Sequence, residues 1–310
     1  MKKAWLALLA LGIAFGAMPH EPALAAASWS GSELKPGQIG RVTALTDTSI
    51  YTKEGSAYKK ISTLKQNHVS RVYTNRGGWF GIGGGKYVQS DRTVKYETPS
   101  RSRYEAVNGI KSIRMREGSA PVEYPQMIGM TNREAEKAIN QELKNQAGKS
   151  AVQYKAFKEK EEKDKEQWEK DGKPYKWVPY EYKSTYEIHF NKNHLLSIVF
   201  YEYQYLGGAH GTTFAKTLNF NTLNGTPFQL TKVIHDKIAK LKNYAAADLR
   251  NQANKQQTAI FEDALKDITI NNSRTWTFHS KGIKLIFQQY EVGPYASGMP
   301  EVTVPISVYQ

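Results

Sequence analysis

The residues best placed to do chemistry in this sequence lie in a glycine-rich stretch, Gly207-Gly208-Ala209-His210-Gly211. An imidazole held there can pass a proton near neutral pH or bind a metal through one ring nitrogen. His189, His279 and Glu291 are the groups that could join His210 in such a site. The surrounding pattern argues against catalysis. No nucleophile stands beside His210, no His-x-x-x-His or His-Glu-x-x-His spacing occurs, and no Gly-x-Ser-x-Gly elbow is present. The glycines have a simpler cause in backbone positions that need positive φ or close strand approach. The chain has no cysteine, which excludes a thiol nucleophile, a Cys-ligated zinc, an iron–sulfur cluster and a lipid-anchored cysteine. The expectation is a non-catalytic protein with no metal and no cofactor, in which His210 belongs to a turn or a binding surface. An enzyme using His210 on a wall polymer is the alternative.

A second chemistry is available in the rings. Nineteen tyrosines are an unusual excess, and aromatic residues make up 12% of the chain. Tyr51, Trp79 and Tyr87 could stack on sugar or peptide, although in a small module aromatics more often fill the core. Tyr205, Tyr290 and Tyr295, with His210, are the corresponding contact candidates in the second half. The carboxylates offer less. Residues 155–176 hold eight lysines and seven acids, among them Glu161 and Glu162, a pattern that reads as a solvated helix or loop rather than an active site. Gly83-Gly84-Gly85 lacks the Gly-Lys-Ser/Thr ending of a phosphate loop and reads as a tight turn.

The elements that must hold these residues begin after an expected leader. Met1-Lys2-Lys3, the apolar run from Ala4 to Met18 and Ala23-Leu24-Ala25 have the three parts of a secretory signal peptide, expected to span residues 1–25. No later window is apolar enough to cross a membrane. An exported bacterial protein without disulfides is expected, with a net charge of +14 before cleavage.

Residues 37–98 break into short β-like runs at 41–44, 48–52, 69–74, 79–82 and 86–90, separated by glycine- and asparagine-rich turns. Ten basic and four acidic residues give this stretch +6, a field suited to an anionic wall polymer rather than to nucleic acid in an exported chain. The polar, proline-containing residues 99–103 read as a joint. Beyond it, 110–115 and 122–128 look like paired strands. Thr131 with Glu134 forms a capping box, and Ala135, Ala138, Ile139 and Leu143 make an apolar helix stripe. Residues 182–190 alternate, 195–205 read as a central strand, and 213–220 follow. Helical patterns at 231–252 and 258–267 precede strands at 275–279, 283–289 and 301–308. The class is α+β: a small all-β barrel followed by a domain, 104–310, with a mainly antiparallel sheet and packed helices.

Two resemblances sharpen this. Thr48-Ser49-Ile50-Tyr51, Leu64-Lys65-Gln66, Gly78-Trp79-Phe80 and Gly83-Gly84-Gly85-Lys86-Tyr87-Val88 follow the order of a bacterial SH3-like domain, or of the related surface-layer-associated wall module. Tyr203-Gln204-Tyr205-Leu206-Gly207-Gly208-Ala209-His210-Gly211 resembles the signature of a domain shared by anti-sigma-V factor extracellular regions and the N-terminal region of a peptidoglycan deacetylase. Leu218-Asn219-Phe220, Leu223-Asn224-Gly225, the run from Gln289 to Gly298 and Glu301-Val302-Thr303-Val304-Pro305 follow in order, and Tyr124-Pro125-Gln126 and 132–140 precede them. The first resemblance implies wall association through peptidoglycan or an anionic glycopolymer. The second implies binding of a lysozyme-type protein. A sigma-binding region with its membrane span and a deacetylase catalytic domain are not recognisable in the sequence, so neither signalling nor deacetylation is expected to carry over.

Overall fold

Two pairs of glycines fold the first region. Gly77 and Gly78, and again Gly84 and Gly85, all have positive φ, as a two-residue hairpin turn of the primed type requires. The computed structural model describes residues 28–29 and 31–310, so the expected leader at 1–25 lies outside the described residues. A short hairpin of β1 (Ser28–Trp29) and β2 (Ser32–Glu33) precedes β3 (Gly40–Ala44), β4 (Thr48–Glu54), β5 (Ala57–Leu64), β6 (Val69–Val72), β7 (Thr74–Arg76), β8 (Trp79–Gly83), β9 (Lys86–Gln89) and β10 (Val94–Glu97). They form a three-stranded sheet, β10-β3-β6, and a five-stranded sheet, β5-β4-β9-β8-β7. The sheets bury Val42, Ala44, Leu64, Val72, Phe80, Val88 and Val94 in one core. The strands remain two hydrogen-bonded sheets, and no closed barrel is found among the described residues. The reading from sequence missed β5, β7 and β10. β5 carries Lys59 and Lys60 and is mostly exposed, the composition of an edge strand that resists further pairing.

Residues 99–103 are not a bare linker. Ser100 caps α1 (Arg101–Asn108), which begins inside that stretch. β11 (Lys111–Arg116) and β12 (Glu123–Ile128) pair antiparallel as expected, and α2 (Arg133–Lys170) follows. Its N-cap is Asn132, whose side chain accepts from the Glu134 and Ala135 amides. Thr131 does not cap; its N–H and hydroxyl both donate to the Glu105 carboxylate. The helix buries Ala135, Ile139, Leu143 and Ala147, a stripe at i+4 spacing, while Ala138 stays exposed. Residues 155–170 continue this helix with pairs such as Lys160–Asp164 and Lys165–Glu169. Glu161, however, is buried rather than solvated, and accepts the Tyr180 N–H and a bond from Lys158. Burial pushes its carboxyl up, but the Lys158 ammonium and the Tyr180 N–H outweigh this and hold it below the usual range.

The sheet of β13 (Glu181–Lys192), β14 (Leu195–Tyr205) and β15 (Thr212–Asn221) places β14 at its centre. Leu196, Ile198 and Phe200 pack toward α2, while Leu195 joins the core of the last third of the chain and Val199 packs with Ala215 and Ile286. Burial on both faces explains the nearly continuous apolar run. The expected helix at 231–252 is interrupted: α3 (Leu230–Val233) and α4 (Ile238–Asn254) are separated by His235 and Asp236, both at positive φ. The expected helix at 258–267 is only a short 3₁₀ turn at Asp263–Asp267. β16 (Trp276–His279), β17 (Gly282–Ile286) and β18 (Glu301–Pro305) form the last antiparallel sheet. The protein is thus a mixed α/β chain of antiparallel sheets with few helices.

Candidate functional site

Tyr51, Trp79 and Tyr87 come together. Val88 and Phe80 face the core and Ile50 packs against it, so their neighbours Tyr51, Tyr87 and Trp79 project from the opposite face of the five-stranded sheet. Tyr51 stands opposite Tyr87 across β4 and β9. The Trp79 ring meets Tyr51 edge-on with centroids 5.0 Å apart. A fourth ring completes the cluster: Tyr58 stacks on Trp79 at 3.7 Å with planes 12° apart, and meets Tyr87 edge-on at 5.4 Å. Two strands lie between β5 and β8, a separation of roughly 14 Å at normal strand spacing, so the two side chains reach over β4 and β9 to touch. Lys53 lies over the Tyr58 ring at 5.8 Å. All four rings are half-buried, so each keeps part of its surface for a ligand. Tyr58 escaped the sequence reading because β5 did. Its signal was the cross-strand pairing of a basic residue with an aromatic one, Lys53 with Tyr58.

The second set converges as well. The loop from β14 to β15 carries His210, and the connection from β17 to β18 carries Tyr290 and Tyr295. His210 stacks on Tyr295 with centroids 3.8 Å apart, and its Nε2 lies 3.1 Å from the Tyr290 hydroxyl. Its Nδ1 lies 3.1 Å from the Gly211 carbonyl oxygen. A carbonyl only accepts, so Nδ1 carries the proton and Nε2 of the neutral ring accepts from Tyr290. Tyr205 closes the loop by donating its hydroxyl to the Gly208 carbonyl at 2.9 Å. The Gln289 side-chain oxygen takes the Thr213 N–H at 2.7 Å, tying the two connections together. Tyr290 adopts a φ of 64°, costly for an aromatic residue, and is 49% exposed. A Cβ at Gly211 would lie 2.3 Å from the outer edge of the Tyr203 ring, which would have to move to admit it.

The proposed companions of His210 lie elsewhere. Glu291 accepts from Arg274 at 2.6 Å and from the Gln288 N–H at 2.8 Å. His189 contacts Glu187 and Tyr201. His279 accepts from the Lys281 N–H; burial, with Lys284 and Lys281 nearby, lowers its pKa. His189 and His279 share a cavity of about 450 Å³ with Asn191 and Val107, remote from His210 in contacts. Among the described residues, no group of three or more His, Cys, Asp or Glu side chains is arranged to hold a metal ion. No helix among them is long and apolar enough to cross a membrane.

Two further cavities share part of their lining. One cavity, about 810 Å³, opens between α2 and the sheet; another, about 860 Å³, runs along β15. Gln153, Glu202 and Lys216 line both. Glu202 accepts from the Ser150 hydroxyl; with the Gln153 amide turned so that its nitrogen faces the carboxylate, that nitrogen lies 3.2 and 2.6 Å from the two oxygens.

Comparison with known proteins follows this geometry. Residues 119–213 match the family model described as Deacetylase PdaC, and residues 230–307 match that of a family of unknown function, DUF3298. The C-terminal region thus carries a PdaC-like part and a DUF3298-like part. Similar solved structures include a DUF3298 family member from Bacteroides fragilis NCTC 9343, with 20% identity and a TM-score of 0.47, covering 64% of this chain and 90% of that one. Another is a DUF3298 family protein from Pseudomonas aeruginosa PAO1, with 19% identity and a TM-score of 0.33, covering 42% of this chain and 61% of that one. No curated protein matches.

Proposed function

We propose that this chain is an exported, non-catalytic cell-envelope protein that holds wall polymer through residues 37–98, a module of SH3-like type, and binds a protein or glycan through residues 104–310. The observation that carries the reading is the four-ring surface of Tyr51, Tyr58, Trp79 and Tyr87 on a stretch with a net charge of +6. Rings with exposed faces stack on sugars, and the cations add attraction to anionic polymer. For the C-terminal region, the joined rings of His210, Tyr290 and Tyr295 offer a contact patch of the amphipathic kind that protein interfaces favour. A lysozyme-type protein is the first partner to test. The Tyr290 hydroxyl on His210 supports one competing reading, a wall-modifying enzyme, because it supplies a hydroxyl within proton-transfer reach.

The test is sedimentation of the full chain with purified wall sacculi. Binding is expected to fall with salt, to fall on removal of anionic polymer, and to drop sharply in Trp79→Ala. Equal binding to stripped and intact walls at every salt concentration overturns the charge argument. Calorimetry with lysozyme in parallel checks the second module, with His210→Ala and Tyr295→Ala as variants. Turnover of wall glycan that disappears in His210→Ala would favour the enzyme.

A further inference from the structure

β15 is an edge strand, and its outer side is open at one place. The Gln288 side chain binds Ala215 as a neighbouring strand would: its oxygen accepts the Ala215 N–H at 2.9 Å and its nitrogen donates to the Ala215 carbonyl at 2.8 Å. Gln289 takes the Thr213 N–H in the same way. Further along, the Asn219 carbonyl accepts from the Phe228 N–H, and the Asn221 N–H donates to the Thr226 carbonyl. Residues 213, 215, 219 and 221 therefore turn their backbone groups away from β14. In an antiparallel ladder this alternation places Thr217 with them. Among the described residues, none takes the Thr217 backbone N–H or carbonyl. That gap opens on the 860 Å³ cavity lined by Phe214, Thr217, Asn219 and Trp276. Asn219 is 4% exposed and lines the same cavity. Its amide nitrogen donates to the Trp276 carbonyl, while its side-chain oxygen has no donor. A buried acceptor without a partner is costly.

We propose that this cavity binds an extended peptide segment, which adds to β15 at Thr217 and supplies a donor to the Asn219 oxygen. The amide of Gln288 already shows that a peptide-like group fits this edge one step away. Of the charges that line the groove, Glu202 takes the Ser150 hydroxyl and Arg274 pairs with Glu291, while Lys216 has no ion-pair partner among the described residues. The favoured segment therefore carries no basic side chain. Trp276, Phe228 and Leu218 among the lining residues suit apolar side chains at alternate positions. This site is separate from the four-ring surface and from the His210 cluster.

The experiment uses the full chain and a blocked tetrapeptide of alternating valine and threonine. Backbone amide signals are followed by nuclear magnetic resonance. At millimolar peptide the Thr217 and Asn219 amides are expected to shift, and an N-methylated analogue with the same side chains should lose binding at least about tenfold. Thr217→Pro removes the outward N–H, as an edge strand tolerates, together with the hydroxyl that takes the Trp276 N–H at 3.2 Å; Thr217→Val loses the same hydroxyl but keeps the outward N–H. Thr217→Pro should melt near Thr217→Val and lose binding, whereas Thr217→Val should keep binding. Equal binding of the N-methylated analogue, or no shift at Thr217 and Asn219, overturns the proposal. So does a chitotetraose that shifts these amides while the peptide does not, which would make the groove a glycan site. Trp79→Ala should leave the peptide response unchanged, which separates this result from wall binding.

Discussion

Replacing Trp79 by alanine tests whether the four rings on the five-stranded sheet are a packed unit or a row of independent side chains. The substitution removes a parallel stack on Tyr58 at 3.7 Å and an edge contact with Tyr51 at 5.0 Å. Each such pair contributes about 1 kcal/mol beyond the burial of the ring itself. Loss of both costs about 2 kcal/mol, with a further contribution from the apolar area that the half-buried indole covers. A double-mutant cycle isolates the stack. Tyr58→Ala and Trp79→Ala should each destabilise, and the pair should fall short of their sum by about 1 kcal/mol. Urea denaturation followed by circular dichroism gives the four free energies. Additive single effects would refute the stacked arrangement. A coupling of the expected size with unchanged wall sedimentation would instead show that the rings serve packing alone.

Three further outcomes follow from the second region. Glu161 has a lowered folded-state pKa, so its charge contributes stability above the unfolded value of about 4.3. That contribution disappears as pH falls through the folded value. Glu161→Gln should therefore cost about 1 kcal/mol at neutral pH and nothing at pH well below both values; urea curves at the two pH values that differ from wild type equally would contradict this. Gly211→Ala, which drives a methyl against the Tyr203 ring, should destabilise by about 1–3 kcal/mol and move the ring-current-shifted His210 signals; an unperturbed spectrum would count against the described loop. Asn132→Ala should lose about 1 kcal/mol of capping energy, more than Thr131→Ala, and thermal melts ranking them in reverse would restore Thr131 as the cap.

Legibility followed burial. β14 was readable because both of its faces are covered, which leaves an apolar run that little else explains. The glycine turns were readable because primed hairpins demand positive φ at both central residues. β5 was hidden because an edge strand is written in lysines, and with it went Tyr58, the central partner of Trp79. The helix pattern at 231–252 ran through His235 and Asp236, where the chain turns left-handed without glycine. Glu161 looked like one acid among many; only the tertiary approach of Tyr180 makes it a buried acceptor. Of the candidate rings, residue type alone singled out most of the clusters. Their contacts, above all the Tyr290 hydroxyl on His210, depend on loops far apart in sequence.

The double-sided burial of β14 has a consequence for cooperativity. One family match ends at residue 213 and the other begins at 230, as though the chain held two interchangeable parts. The side chains say otherwise: Leu196, Ile198 and Phe200 complete the hydrophobic interior of the first part, and Leu195 and Val199 are built into that of the second. Ser197 receives the Phe278 N–H and Asn219 donates to the Trp276 carbonyl across the same boundary. A cut between the two would strip one face of the central sheet and leave its polar groups unanswered. The two parts are therefore expected to melt as one unit, and exchange of either for a relative's is expected to require redesign of the strand they share.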